Sequence, residues 1–226
     1  MSKPKSKRDL TTRAKLSRLR QVARRGGRGA AVAAARLADD PSWEVRLRAF
    51  EALREHGDSQ RTPLAVAALD DAESTVVATA LECLVEWNAR RSVEKIVPLL
   101  DSSSELTRAY AAWAMGRLGA RRHVRTLKRR LARLGDEVEA SALAEALFML
   151  TREQQYLRRL LAQLTSTDPE ARAFTTNSLV GVADEENFAS LICALAHALS
   201  TERSKGVLPS IRRDLTELVS LATEWK

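Results

Sequence analysis

The chain has 226 residues, 45% of them hydrophobic and only 4% aromatic, enough for one large domain or two small ones. No apolar run reaches the ~18–20 residues of a membrane span, and the charged start MSKPKSKRDL lacks the apolar stretch of a secretory signal. The formal charge of +8 is unevenly placed: residues 1–30 hold 11 Lys/Arg against one acid, leaving the rest with 26 basic and 28 acidic residues.

That asymmetry sets a basic arm, residues 1–28, against a near-neutral body, residues 29–226. Within the arm, residues 1–8 read as disordered, and Leu10, Leu16, Leu19 and Val22 space out a short amphipathic helix. RRGGRG, with Arg24, Arg25 and Arg28, has the composition of a single element that tracks nucleic-acid backbones. The arm reads equally as a solubilising tail whose helix caps the start of the body.

From residue 29 the chain repeats. The segments VRLRAFEALR, VVATALECLV and TRAYAAWAMG begin at Val45, Val76 and Thr107, 31 residues apart, and Val138 lies 31 beyond Thr107. In the fourth unit the apolar frame slips by one, and ARAFTTNSLV opens the fifth at Ala171. Offsets 0, 4, 7 and 8 are small or apolar, as in Val45, Ala49, Ala52 and Leu53, which makes one stripe on a 3.6-residue helix.

Turn and capping signals precede each such helix: DDPS from Asp39, DDAES from Asp70, DSSS from Asp101, GDE from Gly135 and TDPE from Thr167. Pro41 and Pro169 suit a first helical turn. A shorter apolar segment comes before each turn, so every unit reads helix, turn, helix. The units fall at about 29–58, 59–89, 90–120, 121–152, 153–184 and 185–226, the last helix being longer, as a cap would be. Cys83 and Cys193 sit in apolar helical patterns without CxxC spacing and read as buried free thiols in a reducing, cytoplasmic compartment.

DPSWEVRLRAFEALREHGD and SSELTRAYAAWAMGRLGA resemble HEAT-like repeats of the phycobilisome-lyase type, over roughly residues 29–184 and more weakly beyond. Thr107 and Ala171 depart from the usual Val of that pattern, and Val77 and Glu139 from the usual Arg. The resemblance implies an all-α, right-handed α-solenoid of about six antiparallel helix pairs whose second helices line a concave groove. It also implies, in some relatives, a chaperone or lyase-like subunit that assists a cofactor-handling enzyme.

Offsets 3, 6 and 10 flank the apolar stripe and are mostly polar: Arg48, Glu51 and Glu55, then Thr79, Glu82 and Glu86, then Phe174, Asn177 and Gly181. In the third unit they are Tyr110, Trp113 and Arg117. Either these rings pack against neighbouring helices, or Arg48, Glu51, Glu82, Tyr110, Trp113, Arg117, Phe174 and Asn177 form a protein-binding groove, since Trp, Tyr and Arg dominate many interfaces.

Arg61, Arg91, Arg122 and Arg152 recur every 30 or 31 residues, and RRHVRTLKRRLARL carries seven Lys/Arg and no acid from Arg121 to Arg133. With Val124, Leu127, Leu131 and Leu134 inward, Arg121, Arg122, Arg125, Arg129 and Arg133 make a basic ridge for phosphates, joined by Arg91. Cations after a helix C-terminus equally complement its dipole.

No catalytic or metal-binding constellation is present in the sequence: His56, His123 and His197 stand apart, and no HExxH, GxSxG, Walker A or GxGxxG occurs. The expectation is a monomeric, cytoplasmic, non-enzymatic adaptor with a protein partner and no cofactor, nucleic-acid association being the alternative.

Overall fold

A computed structural model describes residues 7–134 and 138–224. Among the described residues every regular element is helical, and no helix is long and apolar enough to cross a membrane. The expectation of disorder falls mostly on residues 1–6, and the capping signal at Gly135 on 135–137, which lie outside the described residues. The chain divides into two compact units, Met1–Thr107 and Arg108–Lys226.

In the first unit, α1 (Lys7–Arg25), α2 (Gly27–Ala35) and α3 (Trp43–His56) pack together, and α3 packs in turn on α5 (Ser74–Glu86). The short α4 (Thr62–Ala67) and α6 (Val93–Ile96) each tighten into a 3₁₀ turn, the second over Val97–Asp101, where Pro98 supplies no N–H. The core is the expected stripe: Val45, Ala49 and Leu53 of α3 and Val76, Ala80, Cys83 and Leu84 of α5 are all fully buried.

The basic arm is therefore structured over most of its length. Leu19 is buried, while Leu16 and Val22 are half-buried against neighbours. Lys15, 31 residues before Arg46, forms an ion pair with Asp40, so α1 repeats the contact that α3 makes one unit later. RRGGRG is a helix junction rather than an extended strand: Arg24 and Arg25 close α1, Gly26 turns the chain at φ +66°, and Arg28 lies in α2.

The second unit holds the body of α7 (Glu105–Arg117), then α8 (Val124–Leu131), α9 (Val138–Thr151), α10 (Gln154–Ala162), α11 (Pro169–Gly181), α12 (Phe188–Thr201) and α13 (Leu208–Glu224). The second helix of each pair packs on the next, α9 on α11 and α11 on α13. Helix α9 is buried almost all round. Close approach at its α7 side is set by Gly116, where a Cβ would stand 2.6 Å from Ala146 Cα and 2.9 Å from its Cβ.

Acidic turn residues link the pairs. Asp71 Oδ1 accepts the Glu73 N–H at 2.9 Å, and the carboxylate takes Arg46 Nε at 2.6 Å and Nη2 at 2.7 Å. Burial pushes the Asp71 pKa up, but these hydrogen bonds outweigh it and hold it below the usual carboxylate value. Arg172 grips Glu202 in the same bidentate way, at 2.7 and 3.0 Å, and also donates to the Ser166 carbonyl. Asp168 caps α11 through the Glu170 N–H with Pro169 at the first helical position, whereas Pro41 stands before the capping residue Ser42, outside α3.

One expectation fails. Cys83 is buried and donates to the Phe50 carbonyl at 3.4 Å, but Cys193 is exposed. Helix α12 buries Leu191, Leu195 and Ala198, a stripe that leaves Cys193 on the outer side. Arg152 does not continue the arginine series: Arg61, Arg91 and Arg122 lie in 3₁₀ turns that open the first helices, whereas Arg152 comes after the end of α9 at φ +60°. It occupies the left-handed position held by Asn88 at φ 51° and Gly119 at φ 74°. The Arg152 guanidinium lies 5.2 Å from the Phe148 ring and pairs with Asp184 at 3.1 Å.

Candidate functional site

Helices α7, α9 and α11 bring together the side chains that the repeat offsets singled out in the second unit. Tyr110 and Trp113 sit one turn apart on α7, edge to face with centroids 5.9 Å apart, and Phe174 of α11 meets Tyr110 edge to face at 6.3 Å. All three rings are half-buried, and Asn177 beside them is exposed. The rings thus pack on one another while part of each residue's surface stays accessible.

Beside them Arg117, which the repeat offsets singled out, meets an acid that they did not, Glu145. Arg117, 5.8 Å from the Trp113 ring centre, donates from Nη2 to Glu145 Oε1 at 3.0 Å. The Glu145 side chain is 1% exposed and that of Arg117 27%. Burial raises the Glu145 pKa above the usual carboxylate value, partly opposed by the charge of Arg117 and the nearby Ser178 hydroxyl. Ser178 is close enough to act on that charge, yet Glu145 Oε2, Ser178 Oγ and Arg117 Nε are all buried without a hydrogen-bond partner among the described residues. Buried polar atoms left unpaired cost about 1–3 kcal/mol each, and three of them gather around this one ion pair.

Gly181 of α11 makes the arrangement possible. A Cβ there would stand 1.9 Å from Arg117 Nη2 and 2.9 Å from Glu145 Oε1. Glu145 was legible through the one-residue slip of the fourth unit: once Ala146 and Leu147 take the places of Ala52 and Leu53, Glu145 takes that of Glu51.

The family of HEAT repeats matches residues 62–148. A solved structure of the complex of CpcE and CpcF of phycocyanin lyase from Nostoc sp. PCC7120 is similar over 95% of this chain and 91% of that chain, at 16% identity and a TM-score of 0.67. The chain has an all-helical HEAT/armadillo-like repeat fold. Human deoxyhypusine hydroxylase (16% identity, 92% of this chain and 91% of that chain, TM-score 0.42) and a designed armadillo repeat protein (17%, 82% and 98%, 0.36) are more distant in shape. No curated protein matches the chain.

The HEAT-like first unit treats the corresponding offsets differently. Arg48 pairs with Glu51 at 2.6 Å one turn away, and Glu82 pairs with Arg54. Burial raises the Glu82 pKa, opposed by Arg54. The acids expected to line a binding surface there are answered within the unit, and Thr79 is buried.

On α8, Leu127 and Leu131 are buried, but Val124 at the start of the helix and Leu134 beyond its end are only half so. Its cations divide by direction. Arg130 pairs with Glu139, which also accepts from Arg108 Nε at 2.6 Å; Lys128 pairs with Glu153 at 2.7 Å and lies 5.5 Å from the Tyr156 ring. Arg121, Arg122, Arg125, Arg129 and Arg133 are exposed, as are Arg91, Arg24, Arg25 and Arg28 in the first unit. Among the described residues no group of His, Cys, Asp and Glu is placed to hold a metal ion.

Proposed function

We propose that this HEAT-like protein is a monomeric, non-enzymatic scaffold that binds another protein through the Tyr110–Trp113–Phe174 face of its second unit. The observation that carries the reading is the half-buried aromatic group with Arg117 held over Trp113, because aromatic side chains and Arg anchor most strongly bound interfaces. The architecture is typical of protein-interaction scaffolds, and the similar CpcE–CpcF structure is itself a complex of two proteins.

The test is capture from nuclease-treated lysate with wild type beside the Trp113→Ala, Arg117→Ala double variant. A stoichiometric partner should bind wild type, and the variant should lose more than ~1 kcal/mol, at least fivefold in affinity. Undiminished binding by a variant with an unchanged circular dichroism spectrum would refute the assignment of this face.

A second reading, nucleic-acid association, is favoured by one observation: the cations of α8 that lean toward its neighbours are paired, while the exposed side collects arginines at spacings of three to four residues. Such a face meets phosphates without reading sequence, and it predicts affinity that falls steeply with salt and flattens on Arg125→Glu, Arg129→Glu. Salt-independent binding would count against it.

A further inference from the structure

Among the side chains of the α7–α9–α11 cluster, Arg117 is the one charge that reaches the surface, because Glu145 is 1% exposed and lies against it. A guanidinium has five N–H donors in a planar fork; one is spent on Glu145 and the one on Nε is buried, which leaves three on Nη1 and Nη2. The group is held from several sides: Glu145 accepts from Nη2, the Trp113 ring lies 5.8 Å away, and Gly181 leaves the space that Nη2 fills. An arginine so fixed has little further freedom to lose on binding, and its unspent donors match a carboxylate in bidentate geometry.

A cation is the poorer occupant. It would meet the Arg117 charge first and could reach the buried Glu145 Oε2 only after displacing the guanidinium. A carboxylate set against the outer edge would leave the guanidinium between two anions, the arrangement that the buried acid beneath it prepares. The half-buried rings of Tyr110, Trp113 and Phe174 add an apolar wall beside Arg117.

Resting on the protein-binding reading above, we propose that the segment this face receives carries an acidic side chain, bound by Arg117, beside an apolar one seated on the aromatic rings. Arg117 is the contact residue and Glu145 a positioning residue that acts through it.

The experiment uses the full chain, immobilised and panned against a random dodecapeptide library, with selected peptides resynthesised and their affinities measured by fluorescence anisotropy. Enriched peptides should carry Asp or Glu within four positions of an aromatic or aliphatic residue. Affinity should fall at least tenfold on replacing that acid by its amide and on Arg117→Ala, and nearly as far on Arg117→Lys, which keeps the charge but not the fork. Glu145→Gln should weaken binding in the wild-type background and have no effect once Arg117→Ala is present, a coupling that a purely structural role would not produce.

Selected peptides that are basic, or that bind Arg117→Ala undiminished, would overturn the acidic-segment assignment and leave protein binding standing. Selection of no peptide at all would overturn both.

Discussion

Gly116→Ala tests the contact on which the site's geometry depends. The new Cβ would lie 2.6 Å from Ala146 Cα and 2.9 Å from its Cβ, whereas ordinary contact begins at 3.4 Å. Both obstructing atoms belong to α9 at or beside its backbone, so no rotamer change relieves the clash and α7 must move away from α9. Overpacking of this kind costs roughly 1–3 kcal/mol, offset by under ~1 kcal/mol of gained helix propensity. A net loss of about 1.5 kcal/mol lowers the melting temperature of a chain this size by about 3–6 °C. Thermal unfolding followed by circular dichroism at 222 nm reads it directly. Gly29→Ala is the control: it lies in α2, exposed, with nothing within 4 Å of the added Cβ, and should be neutral or stabilising by up to ~1 kcal/mol. An unchanged melting temperature for Gly116→Ala would refute the close approach of the two helices, and with it the placement of Arg117 against Glu145.

Two carboxylates should respond oppositely to pH. The Arg172 hydrogen bonds pull Glu202 down to about 2, so its contribution is present above the unfolded value near 4.5 and lost as pH falls toward 2. Glu145, raised by burial, contributes stability that is fully present below its unfolded value and lost as pH rises through the higher folded one. Urea midpoints should therefore show the wild-type advantage over Glu202→Gln shrinking on acidification, and that over Glu145→Gln shrinking as pH rises above about 4.5; parallel curves would contradict both. The thiols should separate as cleanly. Burial, with the Glu82 charge adding to it, pushes Cys83 up to about 12, so iodoacetamide should modify Cys193 in the native protein and reach Cys83 only after denaturation. Equal native labelling of both by mass spectrometry would refute the burial of Cys83.

Read alone, the sequence determined the repeat. A 31-residue period, small residues at offsets 4 and 7, and Asp- and Ser-rich turns are local signals, and local propensity with one apolar stripe per helix suffices to place α3, α5, α7 and α11. The acidic turns were legible as helix starts, with Asp168 acting as a side-chain cap. The second role of two of them, receiving Lys15 and Arg46 across 25 residues, was not, nor was the grip of Arg172 on Glu202, because an ion pair depends on which helices meet. Helix α1 was legible through the spacing of Leu16, Leu19 and Val22, but its packing on α2 and α3 was not, because composition alone cannot distinguish a docked helix from a free basic tail.

The tertiary structure decided which residues at equivalent offsets do the same work. Arg152 shares the spacing of Arg122 but falls on a left-handed turn, since the fourth unit is longer. Cys193 shares an apolar segment with Leu191 and Leu195 but faces outward. Arg117 and Glu145 meet where Gly181 carries no side chain to obstruct them, on helices that Gly116 lets approach closely at Ala146. Periodicity assigns each residue a direction from its own helix axis; what stands in that direction is set by the neighbouring helix, and only packing supplies it.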